Sequence, residues 1–156
     1  MPFAAILSRD RKWTGWYRQT DVQRILVIDD ETLVREALLR VLAAPTTSVI
    51  SAADAGTGLA VLRESPVDLV IIDVVLPGMD GVAAIKEIRR HHPGVCIIAI
   101  SGGGNFGLNA YRPDAISTIA YLAACTSAGA DAILAKPFET AELRSLIAQL
   151  LAPERA

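Results

Sequence analysis

The stretch Val67-Asp-Leu-Val-Ile-Ile-Asp-Val-Val-Leu-Pro-Gly-Met-Asp-Gly81 decides the fold. Its apolar run from Leu69 to Ile72 is short, rich in β-branched residues and bounded by turn formers. That is the pattern of a strand covered on both faces. The strand ends on a carboxylate, Asp73, and Pro77-Gly78 and Asp80-Gly81 mark a turn beyond it. A carboxylate at the carboxyl end of a central strand sits where open α/β sheets bind their ligands.

Working outward, three more runs end on polar groups. Arg24 to Asp29 finishes on the pair Asp29-Asp30, Val95 to Ser101 on a hydroxyl, and Asp131 to Ala135 on Lys136. Ser48 to Ala52 reads as a fifth, shorter strand. Between them lie helical patterns. Glu31 to Ala44 carries Leu33, Val34, Ala37, Leu38, Val41 and Leu42 on one face, with Asp30 placed to cap it. Asp54 to Glu64 turns Leu59 and Leu62 inward, and Asp80 to His92 turns Val82, Ile85 and Ile88 inward. A fourth helix is expected from near Pro113 to Gly129, with Ile116, Ile119, Ala120 and Ala123 inward. Tyr121, Leu122 and Cys125 would then form an apolar outer face suited to a partner. Glu139 to Leu151 is the fifth helix. Strands alternating with helices predict an α/β fold with a parallel sheet and helices on both faces. Five strands fit the flavodoxin-like doubly wound (βα)5 arrangement, three layers with strand order 2-1-3-4-5. Asp29, Asp30 and Asp73 would flank its switch point.

The chain has 156 residues and a net charge of −2, which fits one domain and argues against a nucleic-acid binder. No apolar run approaches a membrane span and no signal peptide is recognisable, so a cytoplasmic protein without a membrane partner is expected. Residues 1–22 hold Trp13, Trp16 and Tyr17 among basic residues and are expected to be a poorly ordered extension. Residues 23–152 form the expected domain, and 153–156 a tail. Two cysteines, Cys96 and Cys125, give neither a disulfide framework nor a zinc site.

Clustered carboxylates repel one another, and a hard cation relieves that repulsion. Magnesium is commonly held by one or two carboxylates, waters and a substrate phosphate. Asp73 would then be a carboxylate nucleophile able to form an acyl phosphate. Lys136 would supply a point positive charge to a phosphoryl oxygen, and Ser101 a hydrogen bond to another. A rival reading, a hydrolase of small phosphates, wants a general acid two residues after the nucleophile, where the chain has Val75. Gly102-x-Gly104-x-x-Gly107 matches a dinucleotide fingerprint literally but lacks the acid at the end of the next strand. Conformational freedom beside Ser101 is the preferred role for those glycines.

Together, Asp29-Asp30, Asp73-x-x-x-Pro77-Gly-Met-Asp-Gly81, Ser101 and Lys136-Pro137-Phe138 resemble the receiver domain of two-component response regulators, the chemotaxis-regulator type included. The resemblance covers about residues 22–152. It implies that Asp73 accepts phosphate from a histidine kinase or a histidine phosphotransfer protein. It implies that Asp30, Asp73 and the Val75 carbonyl hold Mg2+ with help from Asp29. Lys136 would pair with the phosphoryl group, Ser101 would move toward it, and the Lys136-Pro137 bond would be cis. The output would be altered binding of a downstream protein. Three departures stand out. Ile133 occupies a position where the family usually carries a switching aromatic, which keeps a second reading in play: a degenerate receiver that docks partners without phosphorylation. The span from Ser101 to Lys136 is longer than usual. The sequence stops soon after the fifth helix, the pattern expected of a stand-alone receiver.

Overall fold

The computed structural model describes residues 22–101 and 115–152, and only the backbone of Ser101, residues 115–119 and Leu122. The elements alternate without exception: β1 (Gln23–Ile28), α1 (Thr32–Leu42), β2 (Thr47–Ala52), α2 (Ala55–Glu64), β3 (Leu69–Asp73), α3 (Gly81–His91), β4 (Cys96–Ser101), α4 (Ala115–Ala128), β5 (Ala132–Ala135) and α5 (Thr140–Leu151). The five strands form one sheet in the order 2-1-3-4-5, every pair parallel. This is the expected doubly wound architecture.

Strand pleat divides the core. Leu26, Ile28, Val70, Ile72, Ile97 and Ala99 face one way, against Leu62 of α2, Ile85 and Ile88 of α3, and Cys125 and Ala128 of α4. Their neighbours Ile25, Val27, Leu69, Ile71, Ile98 and Ile100 face the other way, against Leu38 and Leu42 of α1 and Leu143 and Ile147 of α5. Both sides of β1, β3 and β4 are therefore dry, which is why these strands read as unbroken apolar runs. Each fully buried leucine or isoleucine contributes roughly 1.5–3 kcal/mol. At the amino edge of the sheet, Arg89 of α3 bonds the carbonyls of Pro93, Val95 and Gly129 and pairs with Asp131 at 2.9 Å. That fixes the polar groups there and leaves the opposite, carboxyl edge for chemistry.

Two helix faces differ from expectation. Helix α1 starts at Thr32 with Glu31 at its N-cap and no side-chain cap, so Asp30 does not cap it. Its inward stripe is Val34, Leu38, Val41 and Leu42, while Leu33 is 77% exposed and Ala37 is exposed. Leu33 and Ala37 lie about 100° round the helix from Val34 and Leu38, at the edge of the stripe. In α4 the phase is rotated. Cys125 is fully buried, Tyr121 is half-buried, and Ala120 and Ala123 are exposed. Tyr121 and Cys125 of the expected outer face therefore point inward, while the side chains of Ile116, Ile119 and Leu122 lie outside the described residues. The helix is small and apolar on every side, so its periodicity carries little direction. Cys96, at the start of β4, is half-buried with its thiol 3.5 Å from the Leu150 carbonyl.

The expectations for residues 1–21, for the glycines of 102–107, for the start of the fourth helix near Pro113 and for the tail 153–156 lie outside the described residues. Among those described, no helix is long and apolar enough to cross a membrane.

Candidate functional site

Parallel register brings the strand ends level. Ile28 pairs with Ile72, so Asp29 and Asp73 follow side by side at the carboxyl edge. Asp73 pairs with Ile100, and Ser101 with Ala135, which sets Ser101 and Lys136 at the same edge. The Ser101 side chain lies outside the described residues.

Both aspartates are held by the same device. Asp73 Oδ1 accepts the Val75 N–H at 2.8 Å, and Asp29 Oδ1 accepts the Glu31 N–H at 2.8 Å. Such short-range bonds to the amide two residues on are a habit of aspartate. They fix each carboxylate and turn its second oxygen toward Lys136. The Lys136 ammonium donates to Asp73 Oδ2 at 3.1 Å and sits 3.5 Å from Asp29 Oδ2. The lysine leaves β5 through a cis bond to Pro137, as expected. Asp29 is 1% exposed and Asp73 5% exposed, so the pair is deeply buried for charged groups.

Exposed Asp30 completes the cluster. Asp29, Asp30 and Asp73 each offer an oxygen, all within 4.8 Å of one another. Three carboxylates face one ammonium, an imbalance of about two negative charges. Burial raises the Asp29 pKa, and the charge of Asp73 adds to that, against the lowering effects of the Glu31 N–H and Lys136. Burial pulls the other way on Lys136, yet Asp73 and Asp29 together hold its pKa above the ordinary lysine range. An all-oxygen donor set with a surplus of two negative charges fits a hard divalent cation.

The loop after Asp73 is tightly built. The Val74 N–H bonds the Ile100 carbonyl at 3.0 Å, and the Val74 carbonyl accepts the Gly81 N–H at 3.2 Å. A Cβ on Gly81 would collide with the Val74 backbone, which explains the glycine that opens α3. Asp80 caps that helix through the Val82 N–H at 3.1 Å. Gly78 takes φ +84°, the left-handed conformation that glycine tolerates best. Val75 (51% exposed) and Met79 (36%) are exposed large hydrophobic residues of this loop.

Two contributors escaped the sequence. Arg35 of α1 donates to the Asp29 carbonyl at 2.7 Å, which braces the end of β1. Tyr121 of α4 reaches across to the loop: its hydroxyl lies 2.9 Å from the Val74 carbonyl and 2.6 Å from Asp80 Oδ1. The available signal was chemical, since a lone tyrosine in a helix of small apolar residues needs a partner for its hydroxyl.

Comparison with known proteins agrees with this geometry. The model of the response regulator receiver domain family matches residues 25–148. The transcriptional regulatory protein AruR of Pseudomonas aeruginosa is 35% identical over 135 residues, covering 83% of this chain and 50% of that protein. Among solved structures, a putative response regulator from Chloroflexus aurantiacus superposes with a TM-score of 0.70 at 31% identity, covering 84% of this chain and 98% of that one. A CheY-like receiver domain protein from Methanospirillum hungatei gives 0.69 at 28% identity, with 83% and 94% covered. The chain spans about half, or less, of the length of the curated relatives it matches. With an acidic cluster and its lysine at the edge of a 2-1-3-4-5 sheet, and a family match across most of its length, the chain belongs to the response regulator receiver domain family.

Proposed function

We propose that the chain is a phosphorylation-operated receiver whose phosphoacceptor is Asp73. The observation that carries this is the Lys136 ammonium, 3.1 Å from Oδ2 of a buried aspartate that shares its site with two more carboxylates. Asp73 Oδ2 attacks the phosphorus of a phosphohistidine on a histidine kinase or a histidine phosphotransfer protein. The new O–P bond forms as the P–N bond breaks, and the imidazole leaves with the electron pair and takes a proton. The Val75 N–H fixes the aspartate for that attack through its other oxygen. Lys136 exchanges its pairing with the carboxylate for pairing with a phosphoryl oxygen, and Ser101 donates to another.

Asp29, Asp30, Asp73 and the Val75 carbonyl would hold Mg2+. Bound there, the ion neutralises charge on the transferring phosphoryl oxygens. Catalysis is confined to this self-phosphorylation and to slow self-hydrolysis. Val75, exposed two residues after the nucleophile, has no polar group to align water, so the acyl phosphate persists. The phosphorylated form then binds a downstream protein in the cytoplasm. The test is intact mass after incubation with acetyl phosphate and Mg2+. One added phosphoryl group that is absent from Asp73→Asn supports the assignment, and equal labelling of that variant overturns it.

A further inference from the structure

We infer that Tyr121 is a positioning residue that couples the loop after Asp73 to helix α4, so that the state of the phosphoacceptor site is read out at α4 through one phenolic hydroxyl. This rests on the function proposed above and supplies its output path.

Tyr121 bridges the two ends of the loop. Val74 follows the nucleophile and Asp80 caps α3, and the hydroxyl lies within hydrogen-bond distance of both. A phenol has one proton to give, so it fully satisfies one of these acceptors at a time. Neither acceptor depends on it. The Val74 carbonyl also takes the Gly81 N–H at 3.2 Å, and Asp80 Oδ1 also takes the Val82 N–H at 3.1 Å. Moving the proton from one to the other therefore leaves no buried group without a partner, and the exchange is cheap. This is a two-position contact of the kind that lets a small local change select between arrangements.

The surroundings favour this role. Tyr121 and Ile133 pack on the same core cluster, so the polar-tipped side chain on this face belongs to α4, while β5 offers only an apolar one. Cys125, one turn beyond Tyr121, is fully buried and anchors the helix beside this contact. Burial first, and the neighbouring Asp80 next, hold the phenol pKa far above its ordinary value, so it stays a neutral donor. A change of charge at Asp73 moves the Val74–Val75 segment, because the Val75 N–H is bonded to that same carboxylate. Val74 then changes its claim on the tyrosine proton, and α4 responds.

The test compares wild type with Tyr121→Phe, which keeps the ring and loses the hydroxyl. Each is treated with Mg2+, with and without acetyl phosphate. Intact mass reports phosphorylation, and amide hydrogen exchange across residues 115–128 reports the output. Both proteins should gain one phosphoryl group. The phosphorylation-dependent change in exchange should shrink about five-fold in the variant, the population shift that one hydrogen bond supports. A merely structural tyrosine would alter baseline exchange in both states and leave the difference intact, which would overturn the inference. A wild type that is phosphorylated without any change across α4 would overturn it too. If Tyr121→Phe folds poorly, Asp80→Ala, which leaves the hydroxyl only the Val74 carbonyl, takes its place: a response shrunk to a similar degree supports the exchange, and a full wild-type response overturns it. Absence of phosphorylation in every protein would sink the functional proposal, and this inference with it.

Discussion

Asp29→Asn separates the two properties of the acidic cluster most cleanly. In the metal-free protein, Asp29 gains from Lys136 at 3.5 Å and loses to Asp30 and Asp73, each within 4.8 Å. At an effective dielectric constant of about 20, the attraction is about 5 kcal/mol and each repulsion about 3.5 kcal/mol or more. The Lys136 attraction outweighs the Asp73 repulsion, and burial, the largest effect on Asp29, is what leaves its charged form disfavoured. Neutralising Asp29 should therefore stabilise the metal-free protein by about 1–2 kcal/mol, or about 3–6 °C in Tm for a chain of this size. The new amide can still accept the Glu31 N–H that orients the side chain. Magnesium should narrow or close that gap. At a hundredfold excess over Kd, wild type gains about 2.7 kcal/mol, whereas a variant with about ten-fold weaker affinity gains about 1.4 kcal/mol. The assay is thermal unfolding in chelator and across a Mg2+ titration. The pH dependence follows with a definite sign. Because the folded pKa of Asp29 is raised, protonation favours the native state, so the wild-type handicap fades as pH falls through that value toward 3.8. The variant should lack this component. A lower Tm in chelator together with an undiminished Mg2+ shift would refute the reasoning.

Lys136→Met removes the ammonium that balances two buried carboxylates. It should cost about 2–3 kcal/mol in chelator, below the full penalty for a broken buried pair because the lysine is 23% exposed, and Mg2+ should restore most of it in the same melts. In wild type, the raised lysine pKa contributes stability that is complete below 10.5 and is lost as pH rises through the folded value. Urea titrations at increasing alkaline pH should show that loss in wild type and not in Lys136→Met. Gly81→Ala sets a Cβ against the Cα, carbonyl carbon and oxygen of Val74, none of which can rotate away. The loop must shift at a cost of about 1–3 kcal/mol, and phosphorylation by acetyl phosphate should slow; urea unfolding and timed mass spectra would check both.

The sheet was legible because its central strands are covered on both faces, so Ile25–Ile28, Leu69–Ile72 and Ile97–Ile100 need no polar alternation to hide them. The acidic cluster was legible for a related reason. Parallel strands carry their last residues to one edge, so Asp29, Asp73 and Lys136 were placed together by topology alone. Helix faces were harder. In α1 the apolar stripe is wider in the sequence than in the packing, and Leu33 falls off its edge into solvent. In α4 small side chains allow several rotations of the helix, and the choice is made by long-range contacts: Cys125 in the core and the Tyr121 hydroxyl on the β3–α3 loop. The cap of α1 was misplaced because Asp29, not Asp30, takes the Glu31 N–H, so the acid nearer the helix stays free for the cluster.

Asp73 is the residue proposed to carry the phosphoryl group. Borohydride reduction after incubation with acetyl phosphate and Mg2+, followed by peptide mass mapping, tests it most directly, since an acyl phosphate on aspartate is reduced to homoserine. Homoserine is expected at position 73 of wild type and nowhere else, dependent on Mg2+ and abolished by chelator. Reduction at Asp29 or Asp30 instead, or phosphorylation with position 73 unmodified, would contradict it.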